Sequence, residues 1–206
     1  MKRLIKNVLA VCLILVMVFT LSACSNSDNS ASTAKTFNVY VCAEYVNDDA
    51  NSAVSAKIKE YLGSDMEVSI IGVSTASEDP SMHMASLLRV SMGVAAGEID
   101  VVIADESNAS YNARSDMFCA LSEMLSEEQI AALGDKALQY EMVDEEGNPT
   151  GEKTAVCGID ITGSGIADNS VVSETDLAML AVGNAPNMEA CKTLMGAVAK
   201  SVSAAT

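Results

Sequence analysis

Polar and aromatic side chains follow three apolar runs of this 206-residue sequence, and their chemistry suits the binding of a small solute. In an open α/β sheet, ligands bind outside the carboxyl ends of the strands, which is where these residues would lie. Lysine and arginine are missing from the three segments, so the pattern predicts a polar neutral or cationic solute rather than an anion. The candidate ligand-binding residues are Glu44 and Tyr45 after the first run, Ser74 and Thr75 after the second, and Asp105, Glu106, Asn108 and Tyr111 after the third. Their alternative role is that of ordinary surface loop residues.

Catalytic and metal-binding signatures are weak in this sequence. His83 is the single histidine, so a Ser-His-Asp triad could use only that residue, and there is no Gly-x-Ser-x-Gly elbow. Met82 and Met84 flank His83 and have side chains of the type that binds copper. Adjacent residues of a helix point in different directions, however, and both methionines fit an apolar helix face turned to the core. We therefore expect a protein that is not an enzyme and that has no metal site and no cofactor.

Strand-like and helix-like segments alternate through the first half of the chain. Residues 37–41, 66–71 and 99–104 are rich in β-branched and other apolar side chains, which indicates strands. Helical periodicity occupies residues 47–62 and returns in the segment that follows Asp79. This β-α-β-α-β order predicts parallel strands joined by right-handed crossover helices. The unbroken apolar run 99–104 further predicts a sheet that is covered on both faces.

Each of these two predicted helices has one apolar stripe. In the first helix the stripe contains Val54, Ile58, Tyr61 and Leu62. The second helix begins at Asp79 and Pro80, an N-cap followed by proline at the first helical position. In the second helix, the residues expected to face the core of the protein are Met84, Leu88, Met92 and Ala95.

The second half of the chain predicts further elements around one strong turn. Residues 126–129 have the spacing of a capping box and open a short helix. Residues 137–143 and 154–161 read as paired strands around the turn at 144–149. A last strand over 177–182 precedes a helix over 186–200 whose stripe is Cys191, Leu194, Met195 and Val198. The fold class predicted for residues 37–200 is α/β, with an open, mostly parallel three-layer sheet and a β-hairpin insertion, followed by a frayed tail over 201–206.

The first 23 residues have the layout of a secretory signal. Lys2, Arg3 and Lys6 precede an apolar stretch over residues 8–19, which is short for a membrane span of about 20 residues. The stretch ends in Leu21-Ser22-Ala23-Cys24, which resembles a bacterial lipobox. The resemblance implies that the chain is cut before Cys24 and that the Cys24 thiol receives a diacylglycerol. We therefore expect a protein held by lipid at the extracytoplasmic face of the cell membrane.

Composition supports this division of the chain. Residues 24–36 start with the lipidated cysteine and continue as a Ser/Asn/Ala-rich segment, which predicts a flexible tether. Loss of three basic residues with the signal would change the formal net charge from −16 to −19. Such a surface repels phosphate backbones, so nucleic acid is not expected as a partner. The two acyl chains of a diacylglyceryl group would supply the stable attachment that one chain does not.

Four cysteines lie in the predicted domain and leave two interpretations open. Cys42, Cys119, Cys157 and Cys191 each have apolar neighbours, and no Cys-x-x-Cys motif occurs. Buried free thiols are therefore favoured, while disulfides remain compatible with export.

Four segments in order resemble the type 2 periplasmic-binding-protein-like solute receptors. They are residues 37–41 with the following helix, the Gly-x-Ile-Asp entry into a strand at 96–103, the Cys-Gly-Ile-Asp-Ile strand at 157–161, and the strand, polar turn and helix over 178–195. The resemblance implies an α/β lobe of an extracellular solute-binding lipoprotein that serves an ABC-type transporter permease.

Length separates this chain from ordinary members of that superfamily, which have two lobes. About 40 residues lie between Asp116 and Gly158, too few for a second α/β lobe. The sequence therefore predicts a reduced, single-lobe relative of a solute receptor. The alternative is a lipid-anchored surface interaction or structural module that binds no small molecule.

Overall fold

The computed structural model of the protein describes residues 36–47, 51–77, 79–144, 146–166 and 176–204. The predicted signal, the tether up to residue 35 and the proposed lipid site at Cys24 lie outside the described residues. Within the described part of the chain, no helix has the length and apolar character needed to cross a membrane.

The first half of the domain has the predicted alternation of strands and helices. Its elements are β1 (Thr36–Ala43), α1 (Asn51–Leu62), β2 (Glu67–Ser74), α2 (Pro80–Ala95) and β3 (Val101–Asp105). β1 lies between β2 and β3 and pairs in parallel with both. The predicted parallel pairing of these three strands is confirmed.

The second half contains short elements and one long helix. They are α3 (Glu106–Ala113), α4 (Glu127–Leu133), β4 (Ala137–Leu138), β5 (Glu141–Val143), β6 (Pro149–Lys153), β7 (Gly158–Asp160), β8 (Leu177–Ala181) and α5 (Met188–Ser203). Single 3₁₀ turns lie before α4 and directly after it. α5 runs through Ser203, three residues beyond its predicted end, so residues 201–203 are helical where a frayed tail was predicted.

The main sheet is mixed rather than mostly parallel. Its strand order is β2-β1-β3-β8-β7-β4. β8 is antiparallel to β3, β7 to β8 and β4 to β7. The α/β class is confirmed and the expected mostly parallel pairing is wrong. Every residue of β8 is buried, as in β3. A central strand has this apolar pattern whether it is parallel or antiparallel to its neighbours, so the pattern does not predict its direction.

The predicted β-hairpin is present, with different strand members. β5 and β6 pair in antiparallel orientation around the turn at 144–149 and form a sheet of their own. Ala137 and Leu138 pair with Ile159 and Gly158 of β7, which confirms the predicted pairing of segments 137–143 and 154–161 for these residues, and they do so in the main sheet. All five residues of β6 are exposed, whereas β7 is largely buried, so the two segments belong to different sheets.

Helices cover both faces of the main sheet, which gives the three layers that were predicted. Alternate strand residues divide between two apolar clusters. One cluster joins the sheet to α1, α4 and α5, and its strand members include Val39, Ile103 and Met179. The other joins the sheet to α2 and α3 and includes Val102 and Leu180.

The predicted core face of α2 is wrong, because this helix packs through its opposite side. Met84, Leu88 and Met92 are 48%, 47% and 68% exposed, and Ala95 is exposed as well, while Val90 and Val94 are buried. Gly93 lies on the buried side, where a Cβ atom would stand 2.7 Å from Ile99 Cδ1. A glycine there lets the helix approach the sheet closely. Both faces of α2 are apolar, so periodicity alone does not select between them.

Candidate functional site

The carboxyl ends of β1, β2 and β3 meet at one edge of the sheet, which we call the carboxyl edge. Ala43 lies opposite Ser74 in the parallel register, and Ala104, just before the end of β3, lies opposite Cys42. The strand order also reverses here, because β2 and β3 lie on opposite sides of β1. Ligands of open α/β sheets bind at such reversal points. All eight predicted ligand-binding residues lie at the carboxyl edge or on α3, which begins there.

Asp105 is the hydrogen-bonding centre of the carboxyl edge. Its Oδ2 accepts from the Glu44 backbone N–H at 3.0 Å, and its Oδ1 accepts from the Asn108 backbone N–H at 2.8 Å. The Asn108 side-chain amide lies 2.9 Å from both carboxylate oxygens, and the Ser107 hydroxyl donates at 2.9 Å. Asp105 is thus the N-cap of α3 and also fixes the segment that follows β1.

Thr75 links this centre to the end of β2. Its hydroxyl donates to the Ala43 carbonyl at 3.2 Å and accepts from the Asn108 amide at 3.2 Å. His83 Nδ1 lies 2.7 Å from the Thr75 carbonyl oxygen, which can only accept, so the ring donates and ties α2 to β2. Thr75, Asp105 and Asn108 are all buried. They position the edge, and their polar groups are engaged within the protein.

The other five predicted residues differ in what they offer to solvent. Ser74 is exposed, but its hydroxyl accepts from the Val46 backbone N–H at 3.0 Å. Glu44 and Glu106 are exposed carboxylates, and Tyr45 and Tyr111 are exposed rings. These four are the predicted residues that a solute at the carboxyl edge could contact directly.

A cavity of about 220 Å³ opens at the same edge, beyond β3. The antiparallel pairing places Leu177 opposite Asp105 and Ala178 opposite Asp160, so the start of β8 and the end of β7 lie beside the end of β3. The residues that line the cavity are Glu106, Leu138, Gln139, Tyr140, Asp160, Asp176, Leu177 and Ala178. Among them, sequence reasoning selected only Glu106. Of the other seven residues, only Asp160 had a signal in the sequence, because it is an acidic residue at the end of an apolar strand.

Carboxylates dominate the electrostatics of this cavity. Asp160 forms an ion pair with Lys136 at 3.0 Å and accepts from the Thr162 backbone N–H at 2.8 Å. Burial opposes the ionisation of Asp160, but these bonds outweigh it and hold the pKa of the carboxyl below its usual value. Glu106 and Asp176 have no ion-pair partner among the described residues. Two uncompensated carboxylates therefore stand on the cavity wall.

Tyr140 lines the cavity, and its hydroxyl is buried within the protein. The residue is 6% exposed, and its hydroxyl has no hydrogen-bond partner within the described part of the chain. Burial, followed by the charges of Cys157, Glu106 and Asp160, raises the pKa of this phenol well above its usual value. The hydroxyl stays protonated at neutral pH and can both donate and accept. A Cβ atom at Gly158 would stand 3.2 Å from the hydroxyl oxygen, so a glycine at this position accommodates the tyrosine side chain.

The four cysteines of the domain are buried free thiols, which confirms the favoured interpretation. Burial, with added repulsion from Asp105, raises the pKa of Cys42 to about 12. Burial and the neighbouring Asp100 likewise raise the pKa of Cys191 to about 12. Thiols in this state are protonated at neutral pH and are poor nucleophiles and metal ligands. In the part of the chain that the structure describes, no group of three or more His, Cys, Asp or Glu side chains could hold a metal ion.

Comparison of the sequence with models of known protein families and with curated proteins found no match.

Proposed function

We propose that this chain is a lipid-anchored, extracytoplasmic solute-binding protein that resembles a single lobe of the type 2 periplasmic-binding-protein-like receptors. Its role would be to present a small polar solute to an ABC-type transporter permease. The observation that supports this most directly is the cavity of about 220 Å³ at the carboxyl edge, whose lining includes the predicted residue Glu106. The exposed side chains of Glu44 and Tyr45 follow β1, at the reversal of strand order where α/β sheets bind ligands, and the cavity lies on the far side of β3.

The dimensions and charge of the site limit its solute. Cavities for drug-sized ligands measure about 300–1,000 Å³, so a smaller compound fits here. The uncompensated carboxylates of Glu106 and Asp176 disfavour an anion. We therefore propose that the solute is neutral or cationic.

A ligand screen by thermal unfolding tests the receptor function. Amino acids, sugars, polyamines and metal ions would each be added at millimolar concentration to the purified full chain. A ligand present at 100 times its Kd adds about 2.7 kcal/mol to the free energy of unfolding. For a chain of this size the melting temperature should rise by about 5–10 °C. A screen in which no compound raises the melting temperature would contradict solute binding.

Replacement of Cys24 tests the anchor. Cys24→Ala removes the thiol that would carry the diacylglycerol, so the protein should move from the membrane fraction to the soluble fraction and lose incorporation of labelled palmitate. Cys12→Ala is the matched control, because Cys12 lies in the apolar stretch before the lipobox-like motif and its loss should leave membrane attachment unchanged. Unaltered palmitate labelling of Cys24→Ala would refute lipidation at this residue.

The outward face of α2 favours a second candidate function, a lipid-anchored interaction module. Met84, Leu88 and Met92 form an exposed apolar stripe, and Arg89 is the one residue of α2 with a permanent charge. Exposed apolar stripes of this kind mark contact surfaces for other proteins. Failure of the ligand screen with retention of the anchor would favour this module over the receptor.

A further inference from the structure

We infer that the outward face of α2 binds a second copy of this chain, as an antiparallel pair of α2 helices related by a twofold axis at Leu88. The contact surface is the α2 stripe, which we define as Ser81, Met84, Leu88, Met92 and Ala95. The inference does not depend on solute binding, because α2 packs on one face of the main sheet whereas the cavity opens at the carboxyl edge.

The α2 stripe is exposed although its composition is that of a buried surface. Met84, Leu88 and Met92 are each about half exposed or more, and both end residues of the stripe are exposed as well. On the opposite side of the helix, Val90 and Gly93 are buried. A helix that is apolar on all sides is ordinarily buried on all sides. In the described part of the chain α2 is covered on one side only, so its outward face calls for a partner.

The spacing of the α2 stripe is the same in both directions along the helix. From Ser81 to Ala95 the successive members are three, four, four and three residues apart. At 3.6 residues per turn, all of them lie within about 40° of Leu88. A twofold axis at Leu88 therefore places Met84 of one copy opposite Met92 of the second copy. Twofold interfaces use the same patch on both subunits, and the α2 stripe has the symmetry that such an interface requires.

Charge favours this face for contact between two copies. Each copy carries a formal net charge of −16, so two copies repel each other over most of their surface. No Asp or Glu occurs in the sequence between Asp79 and Glu98, and the α2 stripe has no charged member. Two copies that meet at the stripe therefore remove no carboxylate from water, which would be costly.

The size of this face predicts a weak and reversible dimer. The 16 residues of α2 form a helix about 24 Å long and about 10 Å wide. A standard interface buries about 800 Å² on each partner, and one helix face of these dimensions buries less. We therefore expect a Kd above about 1 μM, so that monomer and dimer are both populated at accessible concentrations.

Sedimentation velocity of the purified full chain, from about 1 μM to about 200 μM, tests the association. The unaltered chain should change from monomer to dimer within this range. Leu88→Glu places two carboxylates opposite each other at the twofold axis and should raise the Kd at least about tenfold. Leu88 is exposed, so the variant should fold, and circular dichroism checks this.

Met82→Glu is the matched control for Leu88→Glu. Met82 is 59% exposed on the same helix, but it lies about 120° around the helix axis from Leu88. The control adds the same charge outside the α2 stripe and should leave the Kd unchanged within about twofold. A chain that stays monomeric throughout the range, or a dimer that Leu88→Glu leaves intact, would overturn the inference.

A charge pair tests the antiparallel register. Met84→Glu and Met92→Lys should each raise the Kd, because each places an unpaired charge in the apolar contact. The double variant sets the new carboxylate of one copy opposite the new ammonium group of the other, twice in each dimer, and should recover part of the loss. A parallel pair would place like charges together, so a double variant that associates no better than the single variants would contradict the proposed arrangement.

A lipid surface is the alternative occupant that the same variants identify. If the unaltered chain stays monomeric but binds phosphatidylcholine vesicles, and Leu88→Glu abolishes this binding while Met82→Glu does not, the α2 stripe contacts lipid and the dimer is wrong. The ligand screen reports on a different surface, so failure of solute binding leaves self-association standing, and failure of self-association leaves solute binding standing.

Discussion

Replacement of Asp100 by alanine is expected to lower the free energy of unfolding by about 3–6 kcal/mol. Asp100 is fully buried just before β3. Its carboxylate accepts from the Asn38 backbone N–H at 2.8 Å, the Asn187 backbone N–H at 2.8 Å and the Asn187 side-chain amide at 3.0 Å. These bonds fasten the start of β1 and the start of α5 to β3. Alanine would remove the acceptor of the two backbone N–H groups, and hydrogen bonds to a charged group contribute about 1.5–3 kcal/mol each. The Asn187 side-chain amide would keep its bond to the Thr36 carbonyl oxygen at 2.9 Å.

Urea unfolding measures this loss. Asp135→Ala is the matched control, because Asp135 is exposed and should change the free energy of unfolding by less than about 0.5 kcal/mol. Asp100→Asn should lie between the two, since its amide keeps one acceptor oxygen. A loss for Asp100→Ala no larger than that of the control would show that the carboxylate does not hold these elements together.

Asp105→Ala is expected to lower the free energy of unfolding by about 3–5 kcal/mol and to disorganise the carboxyl edge as well. The change removes the acceptor for the Glu44 and Asn108 backbone N–H groups and for the Asn108 amide. It also removes the N-cap of α3, which alone contributes about 0.5–2 kcal/mol. Because Asn108 also contacts Thr75, the end of β2 loses support at the same time.

The same unfolding experiment, combined with the ligand screen, separates the two effects of Asp105→Ala. Any solute that binds at the carboxyl edge should bind this variant more weakly, because Glu44 and Glu106 flank the lost carboxylate in the folded chain. Asp105→Asn preserves one acceptor oxygen and should recover part of both losses. A variant with wild-type stability would indicate that water replaces the carboxylate without cost.

Local patterns were sufficient to predict much of the fold. The stripe of α1 is buried at Val54, Ile58 and Leu62, and the stripe of α5 is buried as predicted. The capping box that opens α4 has both of its expected hydrogen bonds. Each of these features depends on residues within one or two helical turns, so the sequence pattern carries the whole physical cause.

Features that depend on distant pairings could not be predicted in the same way. The direction of β8 is fixed by its register with β3, which places Leu177 opposite Asp105. That pairing brings Asp176 to the cavity, and the residues next to Asp176 in the sequence do not indicate this position. α2 has apolar residues on both faces, and the fit of Gly93 against Ile99 decides which face is buried. A helical period cannot contain that information.

The candidate site shows the same division. Strand order was enough to place all eight predicted residues at the carboxyl edge or on α3. It was not enough to separate the buried Thr75, Asp105 and Asn108, which hold the edge together, from residues that a solute could reach. That separation depends on hydrogen bonds between the ends of different strands.

The direction of β1 has a consequence for the proposed lipid anchor. β1 begins at Thr36, next to the tether, and ends seven residues later at the carboxyl edge, so its two ends are about 23 Å apart. The amino end of β1, to which the predicted tether connects, and the cavity therefore lie at opposite ends of the strands of the main sheet. The segment between Cys24 and Thr36 spans about 40 Å when fully extended, which exceeds the length of β1. Under the proposed function, shortening the segment between Cys24 and Thr36 should hinder delivery of the solute to a permease while leaving capture of the solute intact.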